Sequence, residues 1–87
     1  MAGEDYKQIL TELVQKQMVV LGPNIALDKA RQVAGLSLSD QGAVLAITGE
    51  PKMVLKALAE EYILLSGPVA KMTLASLMEK YPSIKGL

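Results

Sequence analysis

Between residues 4 and 20, apolar residues recur at helical spacing. Tyr6, Ile9, Leu10, Leu13, Val14 and Met18 share one side, and Lys7, Gln8, Thr11, Glu12, Gln15 and Lys16 fall between them. That period predicts an amphipathic helix. Glu4 and Asp5 suit its first turn, where the helix dipole is positive. Lys16 follows Glu12 by one helical turn, the favourable order for a surface ion pair. Gly22-Pro23 ends the pattern. Pro23 suits the first position of a second helix, 23–34, because its missing N–H would have no partner there. Ile25, Ala26, Ala30, Val33 and Ala34 form its apolar stripe, and Gly35 is its stop signal.

Over 36–48 the period changes. Leu36-Ser37-Leu38-Ser39 alternates, as a half-buried strand does, and Val44 to Thr48 is rich in strand formers. Ser39-Asp40-Gln41-Gly42 between them predicts a turn. Asp40 is expected to bond the turn backbone and Gly42 to take a positive φ. A lone hairpin is marginal in water, so it must pack on helices or on another chain. Pro51 then opens a third helix, 50–65, with Val54, Leu55, Leu58, Ala59, Tyr62 and Leu65 along one side. A fourth, 67–81, follows Gly67-Pro68 and stops at Tyr81-Pro82. The predicted fold class is mostly α with a small β-hairpin, in the order α-α-β-β-α-α, as a single domain over 1–87.

The fourth helix is apolar over most of its girth. Ala70, Leu74, Leu77, Met78 and Tyr81 suffice to face a core. Val69, Met72 and Ala75 lie three apart on another side and are the candidate interface residues. A second regularity spans the chain. Leu21-Gly22-Pro23-Asn24-Ile25-Ala26 resembles Ser66-Gly67-Pro68-Val69-Ala70 once a one-residue gap is allowed, and each segment joins two helices. That is the mark of a duplicated helix pair, or of a common way to join helices.

Composition narrows the chemistry. Of 87 residues, 51% are hydrophobic and 21% charged, which is the make-up of a globular domain. With no Phe and no Trp, the core must come from Leu, Val, Ile, Ala and Met. The methionines Met18, Met53, Met72 and Met78 serve as filler for that core or as an adaptable partner surface. Absence of Cys and His excludes a cysteine nucleophile, a Ser-His-Asp triad, disulfides and any zinc site with nitrogen or sulfur ligands. Glu60-Glu61 point about 100° apart on a helix and share no acid-base site. The glycines at 42 and 49 lack the spacing of a phosphate loop. No catalytic residue, metal ligand or cofactor is therefore expected, and the chain is read as not an enzyme.

Nine basic residues balance nine acidic ones. Nucleic-acid binders usually carry a basic excess, so no nucleic-acid partner is expected. The apolar runs are too short for a membrane helix, and the acidic start is no signal peptide, so a cytoplasmic protein with no membrane partner is expected. The leading reading is a protein–protein interaction or dimerisation module whose partner is a protein, itself included, as a homodimer. Two alternatives stand beside it. One is a helix-turn-helix-like DNA-binding protein using Asn24, Lys29, Arg31 and Gln32. The other is a small apolar-ligand sensor with a pocket of Leu, Met and Tyr.

One segment carries a resemblance. Tyr62-Ile63-Leu64-Leu65-Ser66-Gly67-Pro68-Val69-Ala70-Lys71-Met72, within residues 62–78, is similar to the Gly-Pro-Ile/Val-Ala-Lys helix of small accessory domains at the ends of bacterial signalling proteins. Those domains accompany kinase, cyclase and response-regulator-like modules. The resemblance implies an accessory interaction or dimerisation module, with no catalytic residues to carry over. In this chain the domain is expected to stand alone.

Overall fold

A computed structural model describes the backbone of residues 2–82 and the side chains of residues 5–82. Four helices and one hairpin follow in the predicted order: α1 (Ala2–Leu21), α2 (Pro23–Arg31), β1 (Leu36–Leu38), β2 (Val44–Ile47), α3 (Pro51–Ser66) and α4 (Pro68–Lys80). The Cα radius of gyration is 11.4 Å, against about 12 Å for a compact chain of this length.

Three of the four helices begin on proline, and none of those three has a side-chain cap. The residue before each proline accepts the first helical bond instead. Ala26 N donates to Gly22 O, Val54 N to Glu50 O and Lys71 N to Gly67 O, at 3.1, 3.1 and 3.2 Å. Proline contributes no orphan N–H at that position, which lowers the cost of an uncapped start. Glycine precedes two of the three prolines, and Gly22 (φ 90°) and Gly67 (φ 55°) both sit on the left-handed side. That is how α1 and α3 turn straight into α2 and α4.

The core repeats between the two halves. Ile9, Leu10, Leu13, Val14 and Gln17 of α1 are buried, and so are Val54, Leu55, Leu58, Ala59 and Tyr62 of α3. The two sets have identical spacing and stand the same distance ahead of their Gly-Pro. Past the junctions, Ala26, Ala30 and Val33 match Ala70, Leu74 and Leu77, with the one-residue gap the sequence required. Five of those six are buried, and Leu74 is half-buried against the same core. The four-helix frame is thus two helix–Gly-Pro–helix units. α1 and α3 pack on each other, and α2 and α4 each lean on both.

The hairpin joins the two units along the chain and packs on α1 and α2. Leu36 pairs with Ile47, Ser37 with Ala46 and Leu38 with Val44, antiparallel, and a bulge leaves Leu45 unpaired and exposed. Gly42 takes φ 84° as expected. The turn is held differently from the expectation. Ser39 Oγ accepts from the N–H groups of Gln41 and Ala43, while Asp40 reaches out to Arg31 at 2.7 Å. Thr11 Oγ1 of α1 accepts from Val44 N at 2.9 Å and docks the hairpin on the helices.

Two stretches depart from the periodic reading. α2 ends at Arg31 and not at 34. Gln32 N reaches back to both Asp28 O and Lys29 O, and Val33 N bonds Ala30 O, so the last turn tightens. Gly35 at φ 85° then reverses the chain into β1. Ile25 and Leu65, assigned to apolar stripes, are 50% and 44% exposed. Each sits beside a Gly-Pro junction, where the change of helix axis carries it off the buried face. The part assigned to Glu4 falls outside the described side chains.

Candidate interaction clefts

The three candidate interface residues lie on the surface of α4. Met72 is 71% exposed and Val69 45%, and Ala75 is exposed as well. Val69 and Met72 line a shallow cleft of about 330 Å³ with Thr73 and Ser76 of the same helix and Lys16 of α1. Ala75 does not line it and lies on the neighbouring strip of the helix. Thr73 spends its hydroxyl on its own helix, donating to Val69 O at 2.9 Å. Val69 and Met72 are its apolar walls, with Ser76 and the cation Lys16 beside them. Lys16 also belongs to a second depression with Glu12, Gln15 and Val19, so the surface continues along α1 to Val19, 87% exposed.

Glu12 closes one end. The sequence pairs it with Lys16, but its carboxylate accepts instead from Lys80 Nζ at 2.6 Å and from the Tyr81 hydroxyl. Tertiary placement of α4 overrides the local choice here. Lys80 also sits 5.8 Å from the Tyr81 ring centre. The hydrogen bonds from Lys80 and Tyr81 hold the Glu12 carboxyl below the usual carboxylate range, and those same bonds raise the Lys80 and Tyr81 groups. Lys16 makes no hydrogen bond to Glu12 and acts on its carboxylate only through space, as a smaller contribution to the same lowering.

A second cleft lies between the end of α2 and α3. Val33, Ala34, Thr48, Glu50, Met53, Val54 and Ala57 line a hollow of about 330 Å³. It runs into a neighbouring one lined by Gln32, Val33, Ala34, Ala57 and Glu61. Met53, 62% exposed, is its large apolar side chain. Its charged lining residues are both carboxylates. The sequence reading leaves Met53 as core filler or adaptable partner surface and makes no site of this cleft. Its spacing was the available signal: Met53, Ala57 and Glu61 recur every fourth residue, along one ridge of α3.

The residues of the two alternative readings are also placed. Asn24 and Arg31 are exposed on α2, Gln32 is exposed just past its end and Lys29 is half-buried, and the Arg31 guanidinium is engaged by Asp40. Tyr62, a candidate pocket wall, is fully buried, and its hydroxyl donates to Ala26 O at 2.7 Å. Burial pushes that hydroxyl's pKa far above its ordinary value. Among the described residues, no group of three or more acidic side chains is placed to hold a metal ion, and no helix is long and apolar enough to cross a membrane. Comparison with protein-family models, curated proteins and solved structures gives no match for this chain.

Proposed function

We propose that this protein is a non-enzymatic interaction module that associates with itself through the exposed apolar strip of α4. The observation that carries the reading is the placement of Met72 and Val69. Each is a large apolar side chain held in the open by a helix whose other side, at Ala70 and Leu77, is buried. Exposed large apolar side chains of this kind are the surface that gains most from being covered. The likeness of residues 62–78 to an element of bacterial signalling accessory domains suits the same role.

Association is read as mass against concentration. At about 100 μM the wild type should exceed monomer mass, since a useful self-contact binds more tightly than that. Met72→Lys should weaken association about tenfold or more, because the new charge must be desolvated on docking. Its melting temperature should stay at the wild-type value, because position 72 is mostly in water. A wild type that is monomeric at that concentration sinks the proposal, and so does a Met72→Lys chain that associates as well as the wild type.

A further inference from the structure

We propose that the protein makes a second contact of a different kind: the end of the bundle that carries both Gly-Pro junctions dips into the surface of a lipid bilayer. The inference does not rest on the self-association proposed above. α4 starts beside Lys16 and ends beside Glu12, so it runs back along α1. At the end of α3, Ser66 Oγ donates to Gln17 Oε1 near the end of α1, and the Tyr62 hydroxyl donates to Ala26 O at the start of α2. Both junctions therefore stand at one end. Among the described residues nine large apolar side chains are exposed, and six of them lie within three positions of Gly22 or Gly67. They are Val19, Val20 and Ile25 at the first junction and Leu64, Leu65 and Val69 at the second. Three helical positions span about 5 Å, so at each junction they form a layer about one turn deep. Charge is excluded from that layer. Residues 17–27 and 62–70 hold no charged side chain.

Direction selects the occupant. On a regular helix Val19 points about 160° from the buried Gln17, and Leu64 about 160° from the buried Tyr62. α1 and α3 pack on each other through those buried faces. Val19 and Leu64 thus leave opposite flanks of the tip, 87% and 81% exposed. A folded partner set against the end would cover neither flank, whereas a fluid bilayer closes round an immersed tip on every side. Interfacial elements sink about 5–10 Å, which matches the depth of the layer. The charge pattern agrees. Just below the layer stand Lys16, Lys29 and Lys71 with Asp28, Glu60 and Glu61. That even mixture suits a zwitterionic head-group zone, which presents both signs as well. The backbone is also prepared to leave water. Proline removes one N–H from each junction, the Gly22 and Gly67 carbonyls each accept a bond, and Gly67 N donates to Ile63 O at 2.8 Å. The expectation of no membrane partner rests on spanning length, which a tip does not need.

Flotation of the full chain with phosphatidylcholine vesicles tests this. The wild type should rise with the vesicles, and equally well when phosphatidylserine is added, because the charges near the tip balance. Val19→Glu and Leu64→Glu should each lower the partition coefficient about tenfold and together abolish flotation. Leu45→Glu and Met53→Glu put the same charge on exposed apolar positions away from the tip and should float as the wild type does. Met72→Lys should float as well, which separates this contact from the α4 strip. Val19 and Leu64 stand in water, so melts of their variants should match the wild type. A wild type that stays behind, tip variants that float unimpaired, or an equal loss in the Leu45 and Met53 variants overturns the proposal. Binding that appears only with phosphatidylserine also overturns it, since that contact would be one of charge. If the tip variants lower the mass in lipid-free solution and vesicles take up nothing, the tip meets a second copy and the lipid proposal falls. A wild type that floats but is monomeric removes the self-association reading alone.

Discussion

Gln17 shows how far a single side chain can depart from its type. It is fully buried, in a core otherwise made of aliphatic groups and Tyr62. Ser66 Oγ donates to Gln17 Oε1 at 2.9 Å and to Tyr62 O at 3.0 Å, so one proton serves two acceptors. Gln17 Nε2 has no partner. A buried donor left unmade costs about 1–3 kcal/mol, more than the shared bond to Ser66 returns. Gln17→Met keeps much of the volume and removes the orphan amide, and Ser66 keeps its bond to Tyr62. The variant should be more stable by about 1 kcal/mol in urea melts; a loss of stability would show that the amide is satisfied by a means the geometry does not reveal. Spacing could have found this residue. It lies one turn beyond Leu13 and Val14, on the apolar stripe, and only its polar identity argues against burial.

Among the elements, the hairpin depends most on a single backbone conformation. Gly35 sits at φ 85°, where an L side chain is strained, and a Cβ added there would run into the carbonyl of Thr48. That carbonyl belongs to the residue whose N–H closes the hairpin base, donating to Gly35 O at 2.7 Å. Gly35→Ala should therefore open the base of the hairpin and cost about 2–3 kcal/mol in a denaturant melt. Amide exchange should accelerate at Thr48 before it does in α1. Unchanged exchange at Thr48 would mean that the hairpin tolerates a shift there. Gly35 was legible as a helix stop. Its second role, making room for Thr48, depends on where the returning strand lies. The same limit explains Asp40. A turn aspartate ordinarily bonds its own backbone, and the fold instead brings Arg31 within reach.

At the level of the whole molecule, α4 is tied back to α1 at its far end through Glu12, Lys80 and Tyr81. Lys80 is 60% exposed, so solvent screens the pair and its contribution to stability is small. The sign of its pH dependence is fixed by the direction of the Glu12 shift. A carboxyl whose folded pKa is lowered stabilises fully above its ordinary value near 4.5 and loses that contribution as pH falls through the lowered one. Melting temperature should drop as pH falls below about 4.5, and Glu12→Gln should flatten that part of the curve. Identical acid profiles for the variant and the wild type would show that the contact contributes nothing in solution. Lys16, lying closer along the chain, was the natural partner on local grounds. The chain itself could not announce that the last turn of α4 would arrive beside Glu12.

The order of four helices and a hairpin was written in the chain, because hydrophobic period and Gly-Pro punctuation act locally. Each helix needs only its own stripe, and each proline needs only its neighbours. The exposed positions of Val69, Met72 and Ala75 were legible for the same reason: α4 has more apolar residues than one buried face can use. What folding added is relational. The repeated burial of α1 and α3, the partner of Glu12 and the second cleft all join residues far apart in sequence. Their geometry follows from how the two helix pairs lean on each other, and no local period encodes that.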